Sequence, residues 1–202
     1  TPEWHAHRAQ YRNASETAAV MGVSPWQTPY QLWALRTGRA RQEVTAAMAR
    51  GTALEPQARE AYEQRTGHVM QPLVLVEGEY SASLDGLTFD GSLIVEIKCP
   101  VRGRDSSLWK AVAAGEVPEY YGWQIEHQLM VSGASLAHLF VFDGGEGYLT
   151  EIAPRPERWK AIQEAWDAFM HCIKTDTPPP LTDRDKVIRK DAQWQAAAEV
   201  YV

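Results

Sequence analysis

A glutamate and a lysine interrupt an otherwise apolar stretch of the chain. Glu96 and Lys98 lie two residues apart in the segment Leu93–Lys98, whose other members are leucine, isoleucine and valine. Because side chains alternate between the two faces of a β-strand, both charged side chains would lie on one face, with Val95 and Ile97 on the other. Charges within an apolar strand are costly to bury without partners. This departure from the local pattern indicates a functional site.

These residue types suit metal-assisted hydrolysis of a phosphodiester. Mg²⁺ prefers oxygen ligands, and one or two carboxylates often hold it together with phosphate oxygens and water. Asp85 and Glu96 could supply the carboxylates, with the backbone carbonyl of Ile97 beside them. A metal lowers the pKa of an attacking water, and a pair of metals clamps the attacking and leaving oxygens. Lys98 would then stabilise the water or the crowded phosphorus centre by its charge.

Three short motifs carry a resemblance to a known family. They are Ser-Leu-Asp-Gly-Leu at 83–87, Val-Glu-Ile-Lys-Cys-Pro at 95–100 and Tyr-Gly-Trp-Gln-Ile-Glu-His-Gln-Leu-Met-Val-Ser-Gly at 121–133. In this order they resemble the lambda exonuclease, or YqaJ-type viral recombinase, family of the PD-(D/E)XK nuclease superfamily. The resemblance runs from about Trp4 to Ile173. It implies an α/β fold with a restriction-endonuclease-like core, in which helices flank a central mixed β-sheet.

The resemblance also assigns roles to individual residues. It implies that Asp85, Glu96 and the Ile97 carbonyl bind metal and that Lys98 is the catalytic lysine. Three further residues resemble family positions that line the metal site, and these are Glu55, Tyr121 and Gln124. The last two lie three residues apart, on one face of a predicted helix, so their side chains can converge on the site.

A second group near the start of the chain resembles the family's pocket for the 5′-terminal phosphate of DNA. It comprises Arg8 in Trp-His-Ala-His-Arg and Ser15 in Asn-Ala-Ser-Glu, with Asn13 standing where a hydroxyl residue is common. A serine at the start of a helix suits a phosphate on physical grounds as well, because exposed N–H groups and the helix dipole attract anions.

Each candidate also has an interpretation without function, which the sequence leaves open. The alternatives are a hairpin turn for Asp85-Gly86, an edge-strand ion pair for Glu96 and Lys98, a solvated position for Glu55, Gln124 and Arg8, a core position for Tyr121 and a helix cap for Ser15. The combination of all the motifs, in the family's order, favours the site interpretation.

The resemblance implies an activity, which is Mg²⁺-dependent degradation of the 5′-ended strand of linear double-stranded DNA to leave a 3′ overhang. Two metal ions per site are implied, and Mn²⁺ is expected to substitute for Mg²⁺. The resemblance further implies a homotrimeric ring around DNA and a single-strand annealing protein as partner in phage-type recombination. We expect a phage or prophage origin and a cytoplasmic location in bacteria.

Two rival functions stay open at this level. The chain could be another nuclease of the same superfamily, such as an endonuclease or a helicase-linked nuclease. Its two cysteines, Cys99 and Cys172, argue against the iron–sulfur type, because a four-cysteine cluster cannot be built from them. The other rival is a catalytically inactive DNA-binding module, against which the intact Asp85, Glu96 and Lys98 argue.

The charge balance is compatible with a DNA-binding enzyme. The 202 residues carry a net charge of −6, whereas phosphate binding needs lysine and arginine. Binding depends on the local field, however, and the stretch before Gly51 holds six arginines against three glutamates. A ring with an acidic exterior and a basic lumen would reconcile the negative net charge with DNA binding. No apolar run approaches the ~18 residues of a membrane span, and we expect neither a signal peptide nor a disulfide framework.

Hydrophobic periodicity predicts helices first and then a sheet. Helices are predicted over 15–21, 29–37, 44–65, 119–131, 158–173 and 183–202, with Ser15 able to cap the first. Strands are predicted over 71–76, 80–84, 87–89, 93–98, 137–142 and 148–152, with a tight turn at Asp85-Gly86. We assign residues 1–176 to the nuclease domain and residues 177–202 to a proline-rich linker and helical tail.

Overall fold

The computed structural model describes residues 2–41 and 45–186. Within these ranges the helices are α1 (Pro2–Gln10), α2 (Thr17–Val20), α3 (Pro29–Arg36), α4 (Ala46–Thr66), α5 (Ser107–Ala113), α6 (Glu119–Ser132) and α7 (Trp159–Lys174). The strands are β1 (Arg12–Asn13), β2 (Gln71–Glu77), β3 (Tyr80–Leu87), β4 (Leu93–Lys98), β5 (Leu136–Phe142) and β6 (Gly147–Ile152). Up to Lys174 the predicted helices and strands are found in the predicted order, whereas α1, β1 and α5 are elements that the sequence does not predict.

The six strands form one mixed sheet, which confirms the predicted fold class. Its order is β1-β3-β4-β5-β6, and β2 also pairs with β3. The pairs β1–β3 and β4–β5 are parallel, whereas β2–β3, β3–β4 and β5–β6 are antiparallel. The strand β4 is therefore central, and the alternative of an ion pair on an edge strand is wrong.

Helices cover both faces of the sheet at β4, because the apolar side chains of this strand point both ways. On one face, Val95 and Ile97 pack with Ala58 and Tyr62 of α4. On the other face, Ile94 belongs to a cluster with apolar side chains of α5 and α6. A third cluster joins α2, α3 and α7 beyond α6. The strand that carries the two charged residues is thus held between helical layers.

The tight turn predicted at Asp85-Gly86 is wrong, since β3 runs without interruption from Tyr80 to Leu87. An Asp-Gly pair commonly marks a hairpin turn, but here the glycine serves close packing. A Cβ built at Gly86 would lie 2.6 Å from the Cβ of Met70 and 2.9 Å from Cγ1 of Val95. The glycine therefore lets the connection between α4 and β2 approach the strand, and it keeps Asp85 within regular β-structure.

The segment that follows the three prolines folds back onto the domain. Arg184 donates from Nη1 to the backbone oxygen of Ser24 at 2.6 Å and from Nη2 to that of Pro25 at 2.8 Å. The hydroxyl of Thr28 donates to the carboxylate of Asp185. These contacts hold the segment against the loop between α2 and α3.

The domain division after residue 176 stays a prediction. Residues 187–202, which make up most of the predicted helical tail, lie outside the described residues. In the part of the chain that is described, no helix combines the length and apolar character needed to cross a membrane.

Candidate active site

The strands β3 and β4 separate at the level of Asp85 and Glu96. Their pairing ends at Gly86 and Val95, the residues adjacent to the two carboxylates. Beyond that point the Oδ2 atom of Asp85 accepts a hydrogen bond from the backbone N–H of Ile97 at 2.7 Å. The strands thus form a fork, here called the β3–β4 fork, and both carboxylates lie at its opening.

Glu96 is only 3% exposed, and both of its carboxylate oxygens accept hydrogen bonds. Oε1 accepts from Nε2 of Gln124 at 2.7 Å and from the ammonium of Lys98. Oε2 accepts from Nε2 of Gln128 at 2.6 Å. The two glutamines lie four residues apart on α6 and therefore share one face of the helix. Three donors thus compensate the burial of this charge.

Lys98 lies between Glu96 and the ring of Tyr121. Its Nζ is 5.3 Å from the centroid of the Tyr121 ring, within the range of a cation–π contact. Burial alone would lower the pKa of Lys98, but the negative charges of Glu96 and Asp85 raise it above its ordinary value. Lys98 is therefore protonated at neutral pH and can stabilise negative charge. Burial also raises the pKa of Tyr121 to about 12, so its phenol stays neutral.

The electrostatics of the fork fit a bound cation. Burial, together with the charge of Glu96, raises the pKa of Asp85 to about 7. The charge of Lys98 and the N–H of Ile97 oppose this rise without cancelling it. Added positive charge favours the ionised form of Asp85 beside Glu96, and a divalent metal ion is a strong local source of such charge.

Glu55 is joined to the fork through Arg59. Arg59 donates from Nη2 to Oε1 of Glu55 at 2.7 Å and from Nε to the backbone oxygen of Asp85 at 2.8 Å. The charge of Glu55 also contributes to the raised pKa of Asp85. The structure therefore places Glu55 near Asp85, and the carboxylate of Glu55 forms an ion pair with Arg59.

The donor set at the fork is small. Among the described residues, no cluster of three or more His, Cys, Asp or Glu side chains is arranged to hold a metal ion. Asp85, Glu96 and the backbone carbonyl of Ile97 are the predicted donors. Such a set suits Mg²⁺, which keeps several waters and takes only one or two protein carboxylates.

A cavity of about 1140 Å³ opens over the fork. It exceeds the range of about 300–1,000 Å³ that is usual for small-molecule pockets. Its lining combines the polar candidates with aromatic side chains, among them Ser15, Trp26, Tyr30, Glu55, Asp85, Lys98, Tyr120, Tyr121 and Gln124. Trp26 is 65% exposed and meets the ring of Tyr120 edge-on at 4.9 Å.

The structure also brings together two of the residues predicted to bind the 5′ phosphate. Nη1 of Arg8 donates to Oγ of Ser15 at 2.9 Å, and Ser15 lines the same cavity as the fork. Nη2 of Arg8 donates to Oε1 of Glu16 at 2.7 Å, so a carboxylate already engages part of the guanidinium. The predicted helix cap at Ser15 is wrong, because this residue lies within the 3-10 turn Ala14–Glu16 and α2 begins without a side-chain cap.

Asn13, the third residue of that group, points into the fold and is 5% exposed. Its Nδ2 donates to the backbone oxygens of Arg8 at 2.8 Å and Tyr11 at 3.0 Å and to Oε2 of Glu16 at 2.9 Å. An amide nitrogen has two hydrogens, so these acceptors fully engage it. Asn13 therefore shapes the turn that carries Ser15, and its contact with a phosphate stays a prediction that this geometry does not favour.

Two side chains of the site, Arg59 and Gln128, were not among the predicted residues. Arg59 follows Glu55 by four residues, and Gln128 follows Gln124 by four residues. This spacing places side chains on the same face of a helix. It is the signal in the sequence that could have found both.

Solved structures with the same fold are exonucleases. The chain matches an alkaline exonuclease from Laribacter hongkongensis with a TM-score of 0.74 at 24% identity, covering 99% of this chain and 100% of that chain. The same exonuclease in complex with dAMP gives a TM-score of 0.73 at 24% identity, with equal coverage. A phage-related exonuclease from Haemophilus somnus 129PT gives 0.63 at 14% identity, covering 82% of this chain and 94% of that chain. The chain thus shares the fold of these solved structures, a mixed sheet flanked by helices.

Residues 3–135 match the family model of the YqaJ-like viral recombinase domain. The chain therefore belongs to the YqaJ-like viral recombinase family, which confirms the resemblance. A curated relative, the uncharacterized protein YqaJ of Bacillus subtilis (strain 168), is 26% identical over 179 residues, which cover 82% of this chain and 55% of that protein. The chain thus spans about half the length of this relative.

Proposed function

We propose that this protein is a metal-dependent exonuclease that degrades the 5′-ended strand of linear double-stranded DNA and leaves a 3′ overhang. The observation that carries the proposal is the β3–β4 fork, where Asp85, Glu96 and Lys98 converge beneath a large cavity. The family and the fold shared with solved exonucleases support it.

In this proposal Asp85, Glu96 and the Ile97 carbonyl hold the metal, with up to two ions per site. When bound, Mg²⁺ or Mn²⁺ neutralises phosphate charge and makes an attacking water more acidic. Lys98 keeps its proton and donates to the oxygen on which negative charge develops. Gln124 fixes the carboxylate of Glu96 through its hydrogen bond at 2.7 Å.

The direction of digestion is assigned to Arg8 and Ser15, which lie together beside the cavity. A guanidinium binds phosphate oxygens through charge-assisted, often bidentate, hydrogen bonds. A 5′-terminal phosphate held there would compete with Glu16 for Nη2 of Arg8, whereas Nη1 is shared with the neutral hydroxyl of Ser15. The predicted preference is therefore for 5′-phosphorylated ends.

We further propose that the active form is a homotrimeric ring on DNA and that it works beside a single-strand annealing protein in phage-type recombination in a bacterial cytoplasm. Four of the six arginines at the start of the chain form ion pairs with carboxylates in the structure. The proposed basic surface turned towards DNA therefore rests on the exposed Arg41 and Arg50. Mass measurement in solution, with and without a duplex end, tests the trimer.

Digestion of end-labelled linear duplex tests the activity itself. The arms carry 5′ phosphate or 5′ hydroxyl, with Mg²⁺, Mn²⁺ or EDTA, and closed circular DNA as control. With the label at the 3′ end of each strand, the proposal expects metal-dependent digestion of the 5′-ended strand from linear DNA alone. Cleavage of the circle would make the protein an endonuclease, and DNA binding without cleavage would make it a binding module.

A further inference from the structure

The carboxylate of Glu96 is not used symmetrically. Its Oε1 accepts two hydrogen bonds, from Lys98 and from Gln124, whereas Oε2 accepts one, from Gln128, among the described residues. A carboxylate offers about four acceptor positions, two on each oxygen. The hydrogen bonds of Lys98 and Gln124 therefore fill Oε1, and the open position lies on Oε2, beside the hydrogen bond from Gln128.

Gln128 joins the two strands of the β3–β4 fork. Its Nε2 donates to Oε2 of Glu96 on β4 at 2.6 Å and lies 3.3 Å from the backbone oxygen of Ser83 on β3. The side chain is 1% exposed, so no rearrangement towards solvent competes with these contacts. One amide group thus reaches both strands at the level where their own pairing has ended.

The amide oxygen of Gln128 indicates why a glutamine occupies this position. Oε1 of Gln128 is buried and has no hydrogen-bond partner among the described residues. An unpaired buried acceptor is unfavourable, and an apolar side chain of similar size would avoid it. The nitrogen must face Glu96, because the opposite orientation would set the amide oxygen against the carboxylate. The N–H donors of the amide therefore explain why a glutamine occupies position 128.

We propose that Gln128 is a positioning residue for the metal site, which turns Oε2 of Glu96 towards the ion and keeps the β3–β4 fork open at a fixed width. The role rests on the proposed metal-dependent function. A side chain that orients a metal ligand in this way commonly contributes about 10- to 100-fold in metal affinity or activity.

Calorimetric titration of the metal-free protein with Mn²⁺ tests this role. Gln128→Met keeps the volume and removes both donors, so its affinity for Mn²⁺ should fall by about 10- to 100-fold. Its kcat for duplex digestion should fall as well, while the KM for DNA stays unchanged. The control is Gln64→Met, an exposed glutamine on α4 whose amide contacts Glu60, and it should bind Mn²⁺ like the wild type.

The outcomes separate this role from the proposed function. Circular dichroism of the metal-free variants checks the fold, and the shorter Gln128→Asn serves if the methionine variant does not fold. One outcome would overturn the role of Gln128 alone. In that outcome Glu96→Gln loses Mn²⁺ binding, whereas a folded Gln128 variant binds Mn²⁺ with normal affinity. A wild-type protein that binds no Mn²⁺ would overturn the metal site and this role together.

Discussion

Asp85 accepts a hydrogen bond from the backbone N–H of Ile97 at 2.7 Å, just beyond the point where the pairing of β3 with β4 ends. The carboxylate of one strand is thus held directly by the backbone of the strand that carries Glu96. Sites built on strands are held more firmly than sites on loops. We therefore expect substitutions at the fork to change the chemistry before they change the fold.

Replacement of either carboxylate at the fork should abolish cleavage. Glu96→Gln and Asp85→Asn each remove a charged metal ligand, and metal ions supply much of the catalysis in such sites. Activity with Mg²⁺ should fall below a few per cent of wild type, while the circular dichroism spectrum and metal-free DNA binding change little. Glu164→Gln on α7, an exposed position, is the matched control. Substantial activity in either fork variant would contradict the metal site.

Lys98→Ala should lose activity and keep metal binding. The lysine contacts Glu96 from the side of Tyr121, and its proposed action is on the phosphate, where a positioned charge stabilises the transition state. Calorimetric titration with Mn²⁺, beside single-turnover digestion, separates the two effects. Lys110→Ala, an exposed lysine on α5, is the control. Loss of Mn²⁺ binding in a folded Lys98→Ala protein would assign the lysine to the metal site instead.

Arg8→Ala should remove the preference for a 5′ phosphate. A hydrogen bond to a charged group contributes about 1.5–3 kcal/mol, so digestion of 5′-phosphorylated ends should slow by about 10- to 100-fold. Digestion of 5′-hydroxyl ends should change little, and the two rates should converge. Lys160→Ala, which removes one exposed positive charge from α7, controls for general electrostatics. An equal fractional loss on both kinds of end would mean that Arg8 does not read the phosphate.

Gly86→Ala should destabilise the protein by about 1–3 kcal/mol, the usual cost of overpacking. Its Cβ would lie 2.6 Å from the Cβ of Met70 and 2.9 Å from Cγ1 of Val95, so these buried neighbours must shift to admit it. Urea denaturation measures the change. Gly51→Ala is the control with opposite sign, because this glycine lies within α4 and no atom of the described residues comes within 4 Å of an added Cβ. That variant should gain about 0.5–1 kcal/mol.

His127 should make the fold sensitive to acid. Burial lowers its pKa from 6.5 to about 3, so the unfolded chain takes up a proton at higher pH than the folded protein does. The contribution of neutral His127 to the free energy of unfolding is fully present above pH 6.5. It is lost as the pH falls towards 3, at about 1.4 kcal/mol per pH unit.

The test is His127→Asn, which keeps a polar group near Thr17, the hydrogen-bond partner of the histidine at 2.6 Å. Between about pH 7 and pH 4, the free energy of unfolding should fall less in the variant than in the wild type. Parallel pH curves for the two proteins would show that another group controls the acid sensitivity.

The central strand and the fork could be predicted because their signals are local. The strand β4 has the predicted bounds, Leu93–Lys98, since a continuous apolar run ending before a proline identifies a buried strand. The helix α3 begins at Pro29, where Thr28 forms a capping box with Gln31, a pattern visible in the sequence. The convergence of Asp85 and Glu96 followed from the motifs.

Other elements depend on contacts between distant parts of the chain. The helix α1 has no continuous apolar face, and a hydrogen bond of 2.8 Å between His7 and Ser81 connects it to β3. The helix α5 has only seven residues, and short helices form mainly through tertiary packing. The course of β3 through Asp85 depends likewise on Met70, which packs where a turn would otherwise have been expected.

The segment that follows the three prolines connects the loop beside the candidate active site to the C-terminal part of the sequence. Arg184 donates hydrogen bonds to the backbone oxygens of Ser24 and Pro25, and Asp185 accepts one from Thr28. Trp26 therefore lies in a loop that the C-terminal segment contacts on both sides. A truncation at residue 176 would remove both contacts and leave Trp26 held by its ring contacts with Tyr120 and Tyr121. The loop that borders the cavity is thus held by residues that lie about 160 positions away along the chain.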